Sequence, residues 1–164
     1  MFPDDIESLA ATVIRLATAR GLQVATAESC TGGLVAGALT GVAGSSAAVD
    51  RGFVTYSNAA KTDLVAVPAA LIDAHGAVSE PVARAMAAGA LDRSNAGVSV
   101  AVTGIAGPGG GTADKPVGLV HFAAAGPTGV VHAERRFGDL GREAVRLASI
   151  RVALEMLIER LQAG

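Results

Sequence analysis

Apolar residues recur at helical spacing in two segments, one near each end of the chain. The first predicts an amphipathic helix that ends at Arg20 and Gly21, with a cation in its last turn and a glycine just past it. Its apolar face consists of Ile6, Leu9, Val13 and Leu16. The second predicts a helix over roughly residues 140–162. Its apolar stripe consists of Leu147, Ile150, Leu154, Leu157, Ile158 and Leu161.

Between these helices, five runs rich in β-branched or alternating apolar residues predict strands. The strands are 23–27, 49–57, 98–102, 117–124 and 129–137. Shorter helices are predicted at 34–39, 59–66, 68–74 and 80–93. The last two strands are joined at Gly126-Pro127, which predicts a hairpin.

The element order α-β-α-β-α-α-α-β-β-β-α is typical of an α/β protein. We expect a three-layer α/β/α sandwich around a mixed five-stranded sheet. Parallel strands come first, and the late hairpin supplies the antiparallel part. A length of 164 residues fits one domain, 1–164, which can bury a core without disulfides.

Composition narrows the class of protein. Hydrophobic residues make up 51% of the chain and charged residues 17%, which favours a well-buried globule. The net charge is −2 and no basic cluster is present, so we expect no nucleic-acid surface. No apolar run reaches membrane length, and the single Cys30 fits a reducing compartment, so we expect a cytoplasmic protein. Ala- and Leu-rich helix faces suggest a homodimer.

Three turns rich in glycine or hydroxyl residues follow predicted strands. They are 29–33, 56–58 and 103–111. If the three strands are parallel, all three turns lie along one edge of the sheet. Backbone N–H groups there could hold a phosphate or a carbonyl oxygen. The alternative for 103–111 is an ordinary surface loop.

Ser29 is the candidate nucleophile. It lies in a double-glycine turn between a strand and a helix, where unpaired N–H groups and the helix dipole can stabilise an oxyanion. The alternative is that the turn only caps the helix. The turn lacks the Gly-x-Ser-x-Gly pattern of hydrolases and the lysine of a nucleotide-binding P-loop.

Lys61 and Tyr56 are the candidate partners of Ser29. Lys61 follows Tyr56 by five residues, across a tight turn. If Lys61 is buried against Ser29, its neutral amine could act as a general base, and the Tyr56 phenol could relay or orient the proton. The alternatives are a solvated lysine and a half-buried strand aromatic.

Other reactive side chains give weaker patterns. Cys30 competes with Ser29 as a nucleophile, or it is packing material. The three histidines show no ligand spacing with Cys, Asp or Glu, so we expect no metal site. Arg142, near the start of the last helix, could meet a phosphate or lie at the surface.

Five motifs occur in order along the chain. They are Thr26-Ala27-Glu28-Ser29-Cys30-Thr31-Gly32-Gly33, Arg51-Gly52-Phe53-Val54-Thr55-Tyr56-Ser57-Asn58 with Lys61, Gly76-Ala77-Val78-Ser79-Glu80, Thr103-Gly104-Ile105-Ala106-Gly107-Pro108 and Lys115-Pro116-Val117-Gly118. Together they resemble the CinA C-terminal domain family, whose enzymatic members are nicotinamide-nucleotide amidases. The resemblance covers residues from about 5 to about 160 and implies the three-layer fold expected above.

The resemblance also implies an activity. This is hydrolysis of the carboxamide of nicotinamide mononucleotide to nicotinate mononucleotide and ammonia, in pyridine-nucleotide salvage and with no metal or cofactor. Ser29 is then the nucleophile, Lys61 its base and Tyr56 an assistant. Many relatives carry an additional N-terminal domain linked to nucleotide pyrophosphatase activity. We expect this chain to lack that domain and its activity.

The substrate-binding groups follow from the same hypothesis. The oxyanion donors are the N–H groups of Thr31, Gly32 and Gly33, or those from Gly104 to Gly107. Thr103, the glycine turns and Arg142 suit the nucleotide and its phosphate. Glu28 could face the pyridinium, or it is a structural acceptor.

Two alternatives stay open at this point. The same turns could hold a phosphorylated ligand in a non-catalytic, regulatory module. A Ser–Lys amidase could also act on another small carboxamide.

Overall fold

The computed structural model describes all 164 residues of the chain, with six α-helices and five β-strands. The helices are α1 (Asp4–Ala19), α2 (Leu34–Thr40), α3 (Asn58–Val65), α4 (Ala69–His75), α5 (Glu80–Asp92) and α6 (Arg142–Ala163). The strands are β1 (Val24–Glu28), β2 (Val49–Val54), β3 (Val98–Gly104), β4 (Leu119–Gly126) and β5 (Gly129–Arg136). None of the helices combines the length and the apolar character that crossing a lipid bilayer requires.

The strands form one mixed sheet in the order β2-β1-β3-β4-β5. Strand β1 pairs in parallel with β2 and β3, whereas β4 and β5 continue the sheet as an antiparallel hairpin. The predicted fold class is therefore confirmed. Glu28 is in register with Val54 and Val102, so the three parallel strands end at the same edge, as predicted.

Helices cover both faces of the sheet. On one face, α1, α2 and α6 pack around the larger hydrophobic core, which includes Phe122 and Leu154. On the other face, α5 lies against alanines of the strands, and their small side chains allow a close approach. Gly89 of α5 is required there, because a Cβ at this position would lie 1.7 Å from the carbonyl oxygen of Val65 at the end of α3. The packing of α5 against the end of α3 thus places α3 beside the edge where the three parallel strands end.

Five predicted boundaries were wrong by two or three residues. Strands β3 and β4 continue to Gly104 and Gly126 rather than ending at residues 102 and 124. Strand β2 ends at Val54 rather than at residue 57, because the Thr55 carbonyl turns to the side chain of Lys61. Strand β4 begins at Leu119 rather than at residue 117, because Gly118 has a φ of +90°. Helix α6 begins at Arg142 rather than at residue 140, directly after Gly141 with a φ of +95°.

Candidate active site

A cleft of about 290 Å³ opens at the C-terminal edge of the three parallel strands. Ligands of open α/β sheets bind at such edges, outside the carboxyl ends of the strands. The cleft is lined by the three turns that the sequence singled out, by the loop before α5 and by the start of α6. Its lining residues are Ser29, Cys30, Tyr56, Asn58, Lys61, Ala77, Val78, Thr103, Gly104, Ile105, Ala106, Gly107, Gly109, Gly110 and Arg142.

Ser29 directly follows β1, and hydrogen bonds fix its backbone on both sides. Its N–H donates to the Val102 carbonyl at 2.9 Å, and its own carbonyl accepts from the Gly32 N–H at 3.0 Å. The side chain is 9% exposed. Ser29 is therefore held at the floor of the cleft with its Oγ accessible from one side.

Lys61 lies against Ser29, although 32 residues separate them. Its Nζ is 3.1 Å from Ser29 Oγ, and it donates to the carbonyls of Thr55 at 2.9 Å and Tyr56 at 3.4 Å. Helix α3 aims the side chain inward, and its first turn is capped by Ser57, whose Oγ accepts from the Ala60 N–H. The residue is 1% exposed, so the cation that the sequence could not place is fully buried.

The surroundings of Lys61 favour a neutral amine. Burial lowers the pKa of Lys61 below its ordinary value of 10.5. When the amine is neutral, its two N–H groups can donate to the Thr55 and Tyr56 carbonyls, and its lone pair is then left for the Ser29 hydroxyl. This is the arrangement that a general base requires.

Cys30, the competing nucleophile, lies deeper than Ser29. It is 6% exposed, and burial raises the pKa of its thiol to about 12. A thiol with that pKa is protonated at neutral pH and is a poor nucleophile. The geometry therefore favours Ser29 over Cys30.

Backbone N–H groups beside Ser29 are available as donors. Those of Cys30 and Thr31 donate to no protein acceptor, whereas the Gly32 N–H is already bonded to the Ser29 carbonyl. Thr31 is buried, and Thr31, Gly32 and Gly33 do not line the cleft. Of this turn only Ser29 and Cys30 line the cleft, so the predicted donors Thr31, Gly32 and Gly33 do not face it, whereas Gly104 and Gly107 do line it.

Tyr56 is in the cleft, but its phenol is not hydrogen-bonded to Lys61 or Ser29. The Tyr56 carbonyl, not the phenol, contacts Lys61 and also lies 3.5 Å from Ser29 Oγ. The side chain is exposed, and its Oη accepts from Arg142 Nη2 at 3.3 Å. The reason is that the chain turns after β2, which directs the ring to the mouth of the cleft.

Arg142 joins two walls of the cleft. Besides its contact with the Tyr56 phenol, its Nη1 donates to the Gly107 carbonyl at 2.9 Å. Thr103 lines the cleft too, but its hydroxyl donates to the Ala77 carbonyl at 2.9 Å and so fastens the loop before α5. Gly104 and Gly107 also line the cleft.

Glu28 lies outside the cleft, which corrects the expectation that it faces a pyridinium. It is 1% exposed, and its carboxylate accepts from the N–H groups of Val35 at 2.8 Å and Ala36 at 3.0 Å. These are N–H groups in the first turn of α2, where no intrahelical acceptor exists. Glu28 is the structural acceptor that the alternative described.

Sequence reasoning missed Arg146, which holds the carbonyls of the turn after Ser29. Its Nε donates to the Cys30 carbonyl at 3.1 Å and its Nη2 to the Thr31 carbonyl at 3.3 Å. The available signal was its position four residues after Arg142, on the same face of one helix. Ala77 and Val78 were also missed as lining residues.

His121 and His132 form a pair on β4 and β5. His121 Nδ1 lies 2.9 Å from His132 Nε2, while their outer nitrogens lie 3.6 Å from carboxylate oxygens of Glu134 and Glu80. The four groups form a row rather than surrounding one point. No three His, Cys, Asp or Glu side chains are grouped so as to hold a metal ion.

This chain is similar in sequence and structure to known proteins. The model of the CinA C-terminal domain family matches residues 6–161. A competence/damage inducible protein CihA from Agrobacterium tumefaciens has a solved structure with a TM-score of 0.96 and 60% identity, covering 99% of this chain and 98% of that one. A CinA superfamily protein from Klebsiella pneumoniae has a TM-score of 0.91 and 37% identity, covering 97% and 99%.

Curated relatives are longer than this chain. A CinA-like protein of Parasynechococcus marenigrum is 52% identical over 158 residues, which cover 96% of this chain and 38% of that protein. A CinA-like protein of Mycolicibacterium vanbaalenii is 57% identical over 146 residues, covering 88% and 34%. The chain thus spans less than two fifths of the length of these relatives.

Proposed function

The chain belongs to the CinA C-terminal domain family, and we propose that it hydrolyses the carboxamide of nicotinamide mononucleotide to nicotinate mononucleotide and ammonia. The observation that carries the proposal is the 3.1 Å distance between Ser29 Oγ and the buried Lys61 Nζ. A hydroxyl paired with a neutral amine is a known variant of the nucleophile–base arrangement in acyl transfer. The proposed route therefore needs no group from outside the chain.

In the first half of the reaction, Lys61 accepts the Ser29 proton as Oγ attacks the carboxamide carbon. The N–H group of Cys30 is the proposed donor to the oxyanion, since Cys30 directly follows the nucleophile and lines the cleft. Lys61 then returns the proton to the leaving nitrogen, and ammonia departs. An ester on Ser29 remains.

In the second half, water replaces ammonia. Lys61 accepts a proton from water as the water oxygen attacks the ester carbon, and Ser29 leaves as the hydroxyl. The Thr55 and Tyr56 carbonyls keep the amine aimed at Ser29 through both halves. One base therefore serves both steps.

The outer part of the cleft suits the nucleotide. Arg142 stands at its mouth as a guanidinium that can meet a phosphate bidentately. Beside it, Gly107, Gly109 and Gly110 let a ligand approach the backbone closely. The apolar side chains of Val78 and Ile105 offer contact area for a pyridine ring.

The test is ammonia release from nicotinamide mononucleotide by the purified protein in the presence of a chelator. We expect Ser29→Ala and Lys61→Met to remain folded and each to lose a factor on the order of 10³ or more in kcat/KM. Cys30→Ala is the matched control, with most of its activity retained.

Three other outcomes would change the proposal. Loss of activity in Cys30→Ala with turnover retained in Ser29→Ala would move the nucleophile by one residue. Ligand-dependent stabilisation without ammonia would favour the non-catalytic module, and turnover of a different carboxamide in a substrate panel would favour the other amidase.

A further inference from the structure

Resting on the function proposed above, we propose that the Ser29–Lys61 pair is also a binding site for the carboxylate of the product, and that this carboxylate binds together with one proton. The consequence is inhibition by product that strengthens as the pH falls. After hydrolysis, the carboxyl group of the product lies where the carboxamide of the substrate was, beside the buried Lys61 amine.

The first argument is the set of groups around Lys61. Its three polar neighbours are a hydroxyl and two carbonyls, all uncharged. The ionisable group that acts on it is Cys30, whose thiol has a pKa raised to about 12 and is neutral. No anionic side chain therefore contacts the Lys61 amine.

Other charged groups nearby are engaged elsewhere or lie at the surface. The Glu28 carboxylate is bonded to the first turn of α2. None of the charged side chains on α3 and on the elements packed against it forms an ion pair with Lys61. These side chains are Asp63 on α3, Asp50 and Arg51 on β2, Asp73 and His75 on α4, and Glu80, Arg84 and Asp92 on α5.

The second argument is the charge of the cleft. Its lining residues include Lys61 and Arg142 but no aspartate or glutamate. A carboxylate that replaces the carboxamide thus meets no like charge in the cleft. In a site this buried, an ion pair is screened far less than in water.

The third argument is the proton balance. Hydrolysis of the ester breaks its bond to Ser29 Oγ and forms a bond from water oxygen to the acyl carbon. One water proton returns to Ser29 through Lys61, and the other stays on the new acid. A carboxyl group is far more acidic than an amine, so this proton passes to Lys61 Nζ. The product then leaves as a carboxylate, and the ammonium gives its proton to solvent.

Substrate and product therefore differ in their linkage to protons. An amide leaves Lys61 neutral, whereas a carboxylate raises its pKa above the value lowered by burial in the free protein. Between those two values, each carboxylate bound takes up one proton. In that window its Kd decreases about tenfold for each unit by which the pH falls.

The test compares the two mononucleotides by isothermal titration calorimetry. The Ser29→Ala variant is used because it binds the amide without turnover, and the wild-type protein is titrated with the carboxylate alone. Measurements at several pH values, in buffers of different ionisation enthalpy, give the number of protons taken up. We expect about one proton with the carboxylate and none with the amide. In Lys61→Met, the carboxylate titration should lose its proton uptake.

Equal pH dependence for the two nucleotides, no proton uptake with the carboxylate, or no binding of the carboxylate overturns the inference. Each of these results can occur while ammonia is still released, so the calorimetry tests the carboxylate site independently of the proposed hydrolase function. Absence of ammonia release overturns the proposed function, whereas carboxylate binding with proton uptake that depends on Lys61 still supports the anion site.

Discussion

Replacement of Glu28 tests whether this carboxylate serves the fold or the substrate. The carboxylate is buried and accepts two hydrogen bonds from the first turn of α2, from Val35 and Ala36. Glu28→Gln keeps the shape of the side chain but turns one acceptor oxygen into an NH2 donor. That donor would face a backbone N–H, which is also a donor. Glu28→Ala removes both acceptors and leaves a cavity.

The magnitude follows from the two bonds. Hydrogen bonds to a charged group contribute about 1.5–3 kcal/mol each, and a neutral bond about 1 kcal/mol. Glu28→Gln loses one bond and weakens the other, so we expect a loss of about 2–3 kcal/mol in the free energy of unfolding. Glu28→Ala should lose about 3–5 kcal/mol, since two buried N–H groups are left without a partner. With a urea m-value of about 2 kcal/mol/M, the Gln variant should unfold at about 1–1.5 M less urea.

The assay combines urea unfolding, followed by circular dichroism, with steady-state ammonia release. We expect the unfolding midpoint to fall while KM of the remaining folded protein changes little. Glu155→Gln is the control, because Glu155 is exposed on α6 and its replacement should change stability by less than about 0.5 kcal/mol. An unchanged midpoint together with a large increase in KM would refute the capping role and return Glu28 to the substrate.

Three other predictions follow. First, kcat/KM should rise with pH and level off below pH 10.5, because Lys61 acts as the neutral base and its pKa is lowered by burial. The free energy of unfolding should also rise with pH between the lowered pKa of Lys61 in the folded protein and 10.5, because in that pH range only the unfolded chain binds the Lys61 proton. Urea unfolding at several pH values measures this rise, and Lys61→Met should abolish it. Second, Tyr56→Phe should cost less than about tenfold in kcat, because the carbonyl that contacts Lys61 remains; a loss near 10³ would restore a role for the phenol. Third, Gly89→Ala should cost at least about 2 kcal/mol in thermal unfolding, because its Cβ would overlap a carbonyl. Gly37→Ala, with its nearest atom at 3.7 Å, should be neutral or stabilising by about 0.5–1 kcal/mol.

The fold was predictable because its signals are local. The periodicity of apolar residues, with the glycines and prolines that interrupt it, predicted each of the α-helices and strands. The parallel arrangement of three strands then placed the three polar turns at one edge of the sheet. The boundaries were less predictable. Strand β2 ends before Thr55, whose carbonyl accepts a hydrogen bond from Lys61, and no local sequence pattern indicates that contact.

The site was predictable in its residue types but not in its contacts. No spacing rule joins Ser29 to Lys61, which lies 32 residues later, and their contact depends on the position of α3, whose end packs tightly against Gly89. Tyr56 and Glu28 were identified by side-chain chemistry, yet the Tyr56 carbonyl makes the contact and the Glu28 carboxylate caps a helix. Sequence patterns do not reveal whether a residue acts through its backbone.

The end of β2 explains why these two contacts belong together. A carboxylate beside Lys61 would hold the amine as an ammonium and remove its value as a base, because an opposite charge favours the charged form. Carbonyls orient the amine without that penalty, and the two residues that follow the end of β2 supply them. Glu28, the nearest acid along the chain to Ser29, is meanwhile engaged by the N–H groups of α2. The fold thus buries and orients Lys61, and it keeps the Glu28 carboxylate bonded to α2, away from the amine that it would otherwise hold as an ammonium.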